Sequence, residues 1–375
     1  MIGPVPMRGI FPAFSHFLAI RCVRALLVPV TLAGLPAGLG TATASAATCV
    51  SWSGTPAQDS GVPDNVLTDT SVLSACDAWA VGWISGNGAN QNLTERWNGS
   101  SWSAVTSPSP GTTDNVLNGV DVLSLSNAWA VGDYGTIVAA GAAARAYASG
   151  RDATGRTAST ASHTLVLHWN GTSWKQVASP TPGSGGGLLG VTATSASNAW
   201  AVGDFTGTGG ANLNVILHWN GTAWTRQASP APGTASGLAA ADATSAGNAW
   251  AVGSFNNGTA DQTLTLHWNG TRWAQVPSPD GAPSDNLLNG VATASASSAR
   301  AVGGYLTPGG VNTLVLRWDG TRWVQVPSPT PGGPPTGANA QLLGVAAGPA
   351  SSFWTVGYFE DATPPNVDTL ALHCC

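Results

Sequence analysis

The chain has 375 residues, of which 8% are charged and 43% hydrophobic, and its formal net charge is −5. Acidic residues outnumber Lys and Arg by 18 to 13, so the surface is expected to repel phosphate, and we exclude nucleic acid and anionic lipid as partners. Seventeen tryptophans and a mean hydropathy of +0.09 distinguish the chain from disordered sequences of equally low charge and predict a packed core.

Residues 1–46 have the pattern of a secretory signal peptide. Arg8, Arg21 and Arg24 precede an apolar run over 25–40, and small residues at 42–47 form an A-x-A cleavage motif ending at about Ala46. The apolar run contains prolines and is shorter than the ~20 residues that a membrane-spanning helix needs. We therefore predict a secreted protein with no membrane span after cleavage.

The rest of the chain is built from one repeated unit, most clearly seen at 188–232. Each unit contains an L-x-G-V run, an A-W-A-V-G segment, an L-H-W-N-G segment and a second tryptophan followed by V-x-S-P. The N-G pair supplies the positive-φ residues of a tight hairpin, so the last two segments are predicted to pair. Four strands recurring about every 50 residues predict β-propeller blades, because a lone four-stranded sheet cannot bury both faces until neighbours stack on it.

The number of repeats predicts six blades. A-W-A-V-G occurs with tryptophan in five copies and with Arg300 in the sixth, whereas the sixth W-N-G copy stops at Cys375 as L-A-L-H-C-C. Residues 49–53 align with the strand that this last copy lacks. The sequence thus predicts an all-β fold, a six-bladed β-propeller of four-stranded blades, closed by pairing the N-terminal strand with the C-terminal blade. Residues 47–375 form this single domain, which we expect to be monomeric.

A disulfide is predicted to join the two ends of the chain. The alignment places Cys49, Cys374 and Cys375 where the other blades have a covalent N-G turn. We predict a disulfide between Cys49 and either Cys374 or Cys375, with Cys76 as the candidate partner of the remaining cysteine.

The second blade carries an insertion at about 135–162 that is poor in bulky apolar residues and contains three arginines. A surface excursion is the simpler interpretation, and a lid or contact loop is the functional one.

The repeat also resembles a known family. A tight turn followed by T-x-W-x-x-V-P-S-P, as at 269–279 and 319–329, makes it similar to kelch repeats and to the galactose-oxidase-type β-propeller. It is similar as well to the tandem repeats of secreted actinobacterial propeller proteins. The resemblance covers nearly all of residues 49–375 and implies the fold without a function. It departs from kelch repeats in lacking their glycine pair after the apolar run.

Most residues that could carry chemistry are explained by the repeat. The resemblance would imply a copper site of clustered tyrosines and histidines, but four histidines occupy one equivalent position in different blades, too far apart to share a metal: His168, His218, His267 and His373. We expect no metal and no cofactor. The sequence also lacks G-x-S-x-G, H-E-x-x-H and P-loop motifs. Arg300 is the one unusual residue at a core position.

Carboxylates and amides recur just before the inner strands and just after A-W-A-V-G. The candidate ligand-binding residues are Asp64, Asn65, Asp114, Asn115, Asp133, Asp204, Asp285 and Asn286. In a propeller these connections open on one face, so the side chains could surround the channel mouth and bind a sugar or a hard cation. The alternative is turn chemistry, since Asp and Asn side chains bond to their own backbone at strand ends.

These features predict a secreted, non-catalytic binding or interaction module for an extracellular glycan or protein. Two alternatives stay open. One is an extracellular carbohydrate-active enzyme with a site on the channel-mouth loops, and the other is an envelope-associated scaffold.

Overall fold

The computed structural model describes residues 65–85, 89–112, 114–136, 161–331, 339–348, 352–362 and 365–374. All regular secondary structure in these ranges is β-strand. The same ranges contain no helix of the length and apolarity that crossing a membrane requires. The predicted leader, the predicted N-terminal strand at 49–53 and residues 137–160 of the insertion lie outside the described residues.

The strands form six sheets, which we call blades 1 to 6. Blade 1 comprises β1 (Asn65–Ser74), β2 (Asp77–Ser85), β3 (Asn90–Trp97) and β4 (Trp102–Ala104). Blade 2 comprises β5 (Asp114–Ser124), β6 (Asn127–Thr136), β7 (Ala161–Trp169) and β8 (Trp174–Gln176). Blade 3 comprises β9 (Gly186–Ser195), β10 (Asn198–Thr206), β11 (Asn212–Trp219) and β12 (Trp224–Arg226).

The remaining blades repeat this order. Blade 4 comprises β13 (Ala235–Ser245), β14 (Asn248–Asn256), β15 (Asp261–Trp268) and β16 (Trp273–Gln275). Blade 5 comprises β17 (Asn286–Ser295), β18 (Ser298–Thr307), β19 (Gly310–Trp318) and β20 (Trp323–Val326). Blade 6 comprises β21 (Ala340–Ala347), β22 (Phe353–Ala362) and β23 (Pro365–Cys374).

Each sheet is antiparallel with its strands in chain order, and the first strands of all six blades line one central channel. The predicted all-β, six-bladed propeller is therefore confirmed. Blade 6 has three strands in the described residues. Its predicted fourth strand, at 49–53, falls outside them, so closure by that strand stays a prediction.

Tryptophans hold neighbouring blades together. In β10, Trp200 projects onto blade 4, where its ring centroid lies 4.8 Å from that of Trp268 and 5.1 Å from that of Trp273. On its own blade it stacks on His218 at 4.2 Å, and the His218 imidazole bonds to Asn198 Oδ1 at 2.8 Å. Burial lowers the pKa of His218, so the ring is a neutral part of the scaffold at neutral pH.

A β-bulge interrupts each inner strand at the same position. The bulge brings backbone against the glycine of A-W-A-V-G, and a Cβ on Gly203 would lie only 2.0 Å from the Gly187 carbonyl oxygen. This contact explains why the segment ends in glycine. The bulged residues also line the channel, because a bulge redirects side chains; they are Thr68, Asn118, Leu189, Ala239, Asn289 and Leu343.

The contact between the last and first blades differs from the other five. Trp354 occupies the position of Trp200 but is 45% exposed, compared with 1% for Trp200. Leu67, which belongs to the facing blade, is 41% exposed, whereas its equivalent Leu117 is fully buried. Within the described ranges this contact is therefore loosely packed.

Of the cysteines in the disulfide prediction, Cys49 and Cys375 lie outside the described residues. Cys374 is an exposed free thiol at the end of β23, and Cys76 lies in the turn between β1 and β2. The predicted pairing stays a prediction.

Arg300 is placed between blades 5 and 6. Its guanidinium lies 4.6 Å from the centroid of the Phe353 ring, and Nη1 donates a hydrogen bond to the Ala299 carbonyl at 3.1 Å. These contacts give it a packing role like that of the tryptophan it replaces.

Candidate functional site

The inner strands enclose a central channel with a volume of about 450 Å³. Its walls are as polar as they are apolar, and apolar side chains such as Leu189 and Leu343 alternate with polar groups. The polar side chains in this lining are Thr68, Asp69 and the two carboxamides Asn118 and Asn289.

A smaller cavity, about 70 Å³ in volume, lies over blade 4 on the face where the inner strands begin. We call it the mouth pocket; its polar lining is Asp204, Asn212, Ser236, Ser254, Asn256 and Asp261, and Leu238 and Leu288 are among its apolar residues. Leu189 and Ala239 line both cavities. A group that enters the mouth pocket is therefore adjacent to the channel.

The mouth pocket exists because blade 4 departs from the repeat. Gly237 pairs with Ser254 across β13 and β14, and both residues are small. The equivalent pairs in the other blades contain at least one larger side chain: Val66–Trp83, Val116–Asp133, Gly187–Asp204, Leu287–Gly304 and Gln341–Tyr358. The nearest atom to a Cβ built on Gly237 is Asp204 Cβ at 3.7 Å, an ordinary contact distance.

Two of the predicted ligand-binding residues are fully buried amides that organise turns. Asn115 Oδ1 accepts a hydrogen bond from the Gly111 N–H at 2.6 Å, and its Nδ2 donates to the carbonyls of Asn90 and Gly111. Asn286 Oδ1 accepts from the N–H groups of Gly281 and Ala282. Both amides make the turn bonds that the alternative interpretation of the sequence describes.

The carboxylates beside these amides tie one blade to the preceding one. Asp114 Oδ1 accepts a hydrogen bond from Asn90 Nδ2 at 2.7 Å, and Asp285 Oδ1 accepts one from the Asp261 N–H at 3.0 Å. Asn65 is half-buried at the start of β1, and Asp64 lies outside the described residues.

The structure places the last two predicted residues, Asp133 and Asp204, in different blades. Asp133 Oδ1 accepts a hydrogen bond from Asn118 Nδ2 at 3.3 Å in blade 2. Asp204 is 7% exposed and lines the mouth pocket together with Asp261, which the sequence did not single out. The structure therefore brings Asp204, and not Asp133, into the mouth pocket.

Sequence reasoning missed three carboxylates on the inner strands. Each Oδ2 accepts a hydrogen bond from a backbone N–H on the inner strand of the following blade: Asp69 from Val120 at 2.8 Å, Asp121 from Ala193 at 2.7 Å and Asp242 from Thr293 at 2.6 Å. The sequence signal that could have identified these carboxylates is an acidic residue within an inner strand, because inner strands are predicted to be crowded and apolar.

Burial shifts these three groups toward their protonated forms. It raises the pKa of Asp69 to about 7 and that of Asp121 to about 6, and it also raises the pKa of Asp242. Neighbouring carboxylates add to the shift for Asp69 and Asp121. Although Asp69 lies deep within the ring, its side chain is exposed to the channel, and water there moderates the effect.

Charge is distributed unevenly between the axis and the rim. In the part of the chain that the structure describes, no inner strand contains Lys or Arg. Basic residues there lie on the second to fourth strands or in outer turns: Arg96, Lys175, Arg226, Arg272, Arg300, Arg317 and Arg322. The described residues also contain no group of three or more His, Cys, Asp or Glu arranged to hold a metal ion.

No protein-family model matches the chain, and no curated protein matches its sequence. Among solved structures, YCF48 bound to D1 peptide is 14% identical, with 84% of this chain and 87% of that chain covered and a TM-score of 0.48. A PL25 polysaccharide lyase, an ulvan lyase, is 10% identical over 80% and 78%, with a TM-score of 0.49. A Hadza microbial sialidase is 10% identical over 81% and 65%, with a TM-score of 0.45. Similarity this low identifies no family and no ligand, and the kelch-like resemblance stays a prediction.

Proposed function

We propose that this protein is a secreted, non-catalytic binding module whose ligand enters the mouth pocket and the channel. The observation that carries the proposal is the Gly237–Ser254 pair, which opens the propeller face in one blade beside the channel. The tryptophans, histidines and turn amides of the repeat all have structural roles in the blades, so folding alone accounts for their presence. It does not require an opening in one blade, whereas a concave site with a few convergent polar groups is the usual form of a ligand site.

The leader pattern of residues 1–46 supports an extracellular location, and the acidic composition supports a partner other than nucleic acid. An extracellular glycan or protein remains the proposed partner class. The full chain, produced with its own leader, can be screened for binding on glycan and peptide arrays.

Filling the mouth pocket tests the site. Gly237→Val introduces the residue that blades 1 and 2 carry at this position, as Val66 and Val116, so the fold is expected to tolerate it. We expect at least about a tenfold loss of affinity for any ligand found on the arrays, because a 1.4 kcal/mol clash already has that effect. Isothermal titration calorimetry measures the change.

Gly247→Ser is the matched control. Gly247 lies in the turn at the opposite end of blade 4, where blades 2, 3 and 5 have Ser126, Ser197 and Ser297. The Gly247→Ser variant should leave both the ligand affinity and the melting temperature unchanged. Equal binding by wild type and Gly237→Val would rule out the mouth pocket as the ligand site.

The enzyme alternative has one observation in its favour. A carboxyl group whose pKa is about 7, as for Asp69, can hold a proton at neutral pH as a general acid does. Turnover on a polysaccharide panel that disappeared in Asp69→Asn would replace the binding-only function.

A further inference from the structure

We propose that Trp52, in the predicted closing strand at 49–53, packs its indole ring on the Arg300 guanidinium of blade 5. Arg300 is then the residue that receives the N-terminal segment on the outer edge of blade 6.

The other blades show which ring belongs over this position. In blades 1 to 4 the tryptophan of the second strand contacts the tryptophan that begins the fourth strand of the next blade, with ring centroids 4.9 to 5.1 Å apart. The four pairs are Trp79–Trp174, Trp129–Trp224, Trp200–Trp273 and Trp250–Trp323. Arg300 has the fifth such position, at the register in β18 that Trp250 has in β14. The residue expected over Arg300 therefore begins the fourth strand of blade 6.

The length of the chain before β1 identifies that residue as Trp52. Trp52 precedes Asn65 by 13 residues, as Trp102 precedes Asn115 and Trp273 precedes Asn286. Asn65 begins β1, so residues 52–64 have the length with which the chain passes from one blade to the next elsewhere in the ring. Trp52 can thus lie beside the end of β23 while the chain continues into β1.

The contact between blades 5 and 6 is rebuilt around Arg300. Phe353, which is 3% exposed, occupies a position that is alanine in the other five blades. It pairs with Cys374, where the other blades have the tryptophan that ends the third strand. The Phe353 ring, 4.6 Å from the guanidinium, therefore replaces that tryptophan. The fourth-strand ring is the member of the cluster that the described residues do not supply.

The charge at this contact favours an aromatic partner. Arg317 lies directly opposite Arg300 across β18 and β19, an arrangement in which like charges repel. In blade 1 the residue equivalent to Arg317 is Arg96, which forms an ion pair with Asp77, whereas blade 5 has Ser298 in place of that aspartate. In the part of the chain that the structure describes, neither Arg300 nor Arg317 forms an ion pair. The face of an indole ring attracts a guanidinium without an acid.

Arginine already contacts tryptophan in this way elsewhere in the ring. The Arg96 guanidinium lies 5.3 Å from the centroid of Trp79 and 5.6 Å from that of Trp169 on the next blade. Arginine also suits a position next to a strand edge that must stay open until another segment reaches it. An exposed tryptophan beside an unpaired edge favours association with other chains, and a charged side chain opposes it.

Hydrogen–deuterium exchange of the full chain, followed by mass spectrometry, tests the contact. We expect the amides of residues 50–54 to be protected in the wild type, because a strand on β23 hydrogen-bonds its backbone. In Arg300→Ala they should exchange at least about tenfold faster. Arg322→Ala, which removes an arginine of the same blade whose side chain is 79% exposed, should leave the exchange unchanged.

A double variant tests whether the two side chains act on each other. Trp52→Ala should also accelerate exchange at residues 50–54. Adding Arg300→Ala to Trp52→Ala should accelerate it by less than about a further twofold, because the contact is already lost. An equal effect of Arg300→Ala with and without Trp52 would contradict the contact.

A second measurement covers the case in which Arg300→Ala fails to fold. Arg300→Trp introduces the residue of the other five blades and should leave residues 50–54 protected. In the wild type, the NMR signal of the Arg300 Nε–H group, identified by its loss in Arg300→Trp, should shift in Trp52→Leu, because the nearby indole ring is removed. Trp102→Leu, the same change in the fourth strand of blade 1, should leave that signal in place.

Three results would overturn the proposal. Residues 50–54 that exchange freely in the wild type would show that no strand forms there. An Arg300 signal that does not respond to Trp52→Leu would place the indole elsewhere. Protection that occurs only in a dimer, separated by size-exclusion chromatography, would assign the edge of β23 to a second copy of the chain.

Discussion

Replacing Trp200 by alanine is expected to lower the free energy of unfolding by about 3–5 kcal/mol, the usual cost of removing a large buried aromatic side chain. Trp200 is 1% exposed and contacts Trp268 and Trp273 of the next blade. Its loss leaves a cavity between two blades that rigid strands on both sides cannot close. Urea denaturation followed by tryptophan fluorescence and circular dichroism measures the change.

Trp354→Ala is the matched comparison, since Trp354 occupies the same position in blade 6. Because Trp354 is 45% exposed, we expect its replacement to lower the free energy of unfolding by less than half as much as Trp200→Ala does. An equal cost for the two variants would mean that the first and last blades pack in solution as tightly as the others do. Such a result would contradict the loose contact seen at Leu67 and Trp354.

The fold was predictable because it depends on a pattern repeated six times. A strand that alternates large Trp200 and Val202 with small residues, followed by an N-G hairpin, determines a blade and its stacking without long-range information. The same repetition revealed which residues are scaffold. His218, for example, bonds to Asn198 within its own blade, as its repeated position implied.

The candidate site was harder to predict because it depends on exceptions to the pattern. Asn115 and Asn286 attracted notice because they recur, and recurrence is what a turn requires. The mouth pocket arises from the absence of bulk at Gly237 and Ser254, which no local motif marks. Its connection to the channel depends on bulges, whose positions the sequence does not announce.

The inner-strand carboxylates should make the protein less stable as pH rises toward neutrality. Burial raises the pKa of Asp121 to about 6 from its ordinary 3.8. Between these values the folded state retains the proton and the unfolded state has lost it, so the folded state binds more protons and stability falls with rising pH. Above pH 6 the Asp121 carboxyl is ionised in both states, so the full free-energy cost of burying its charge is present. Asp69 and Asp242 shift in the same direction, and we expect a higher melting temperature at pH 5 than at pH 7.5.

Asp121→Asn should therefore stabilise the protein at pH 7.5, by on the order of 2 kcal/mol, because one pKa unit corresponds to 1.36 kcal/mol and the partial exposure of Asp121 screens part of the effect. The Asn oxygen can still accept from the Ala193 N–H, and its Nδ2 can donate to Ser71 Oγ, which now donates to Asp121 at 3.3 Å. At pH 4 the gain should nearly vanish, since the native carboxyl is then neutral.

Asp319→Asn provides the opposite case. Hydrogen bonds from Thr321 and Arg322 lower the pKa of Asp319 to about 2, so its stabilising contribution is present above its ordinary pKa and is lost only in strong acid. Its replacement should give no gain at pH 7.5. If Asp121→Asn destabilised the protein equally at pH 4 and pH 7.5, the hydrogen bonds of the carboxylate would outweigh the cost of burying its charge. The inner ring would then be stabilised by its carboxylates.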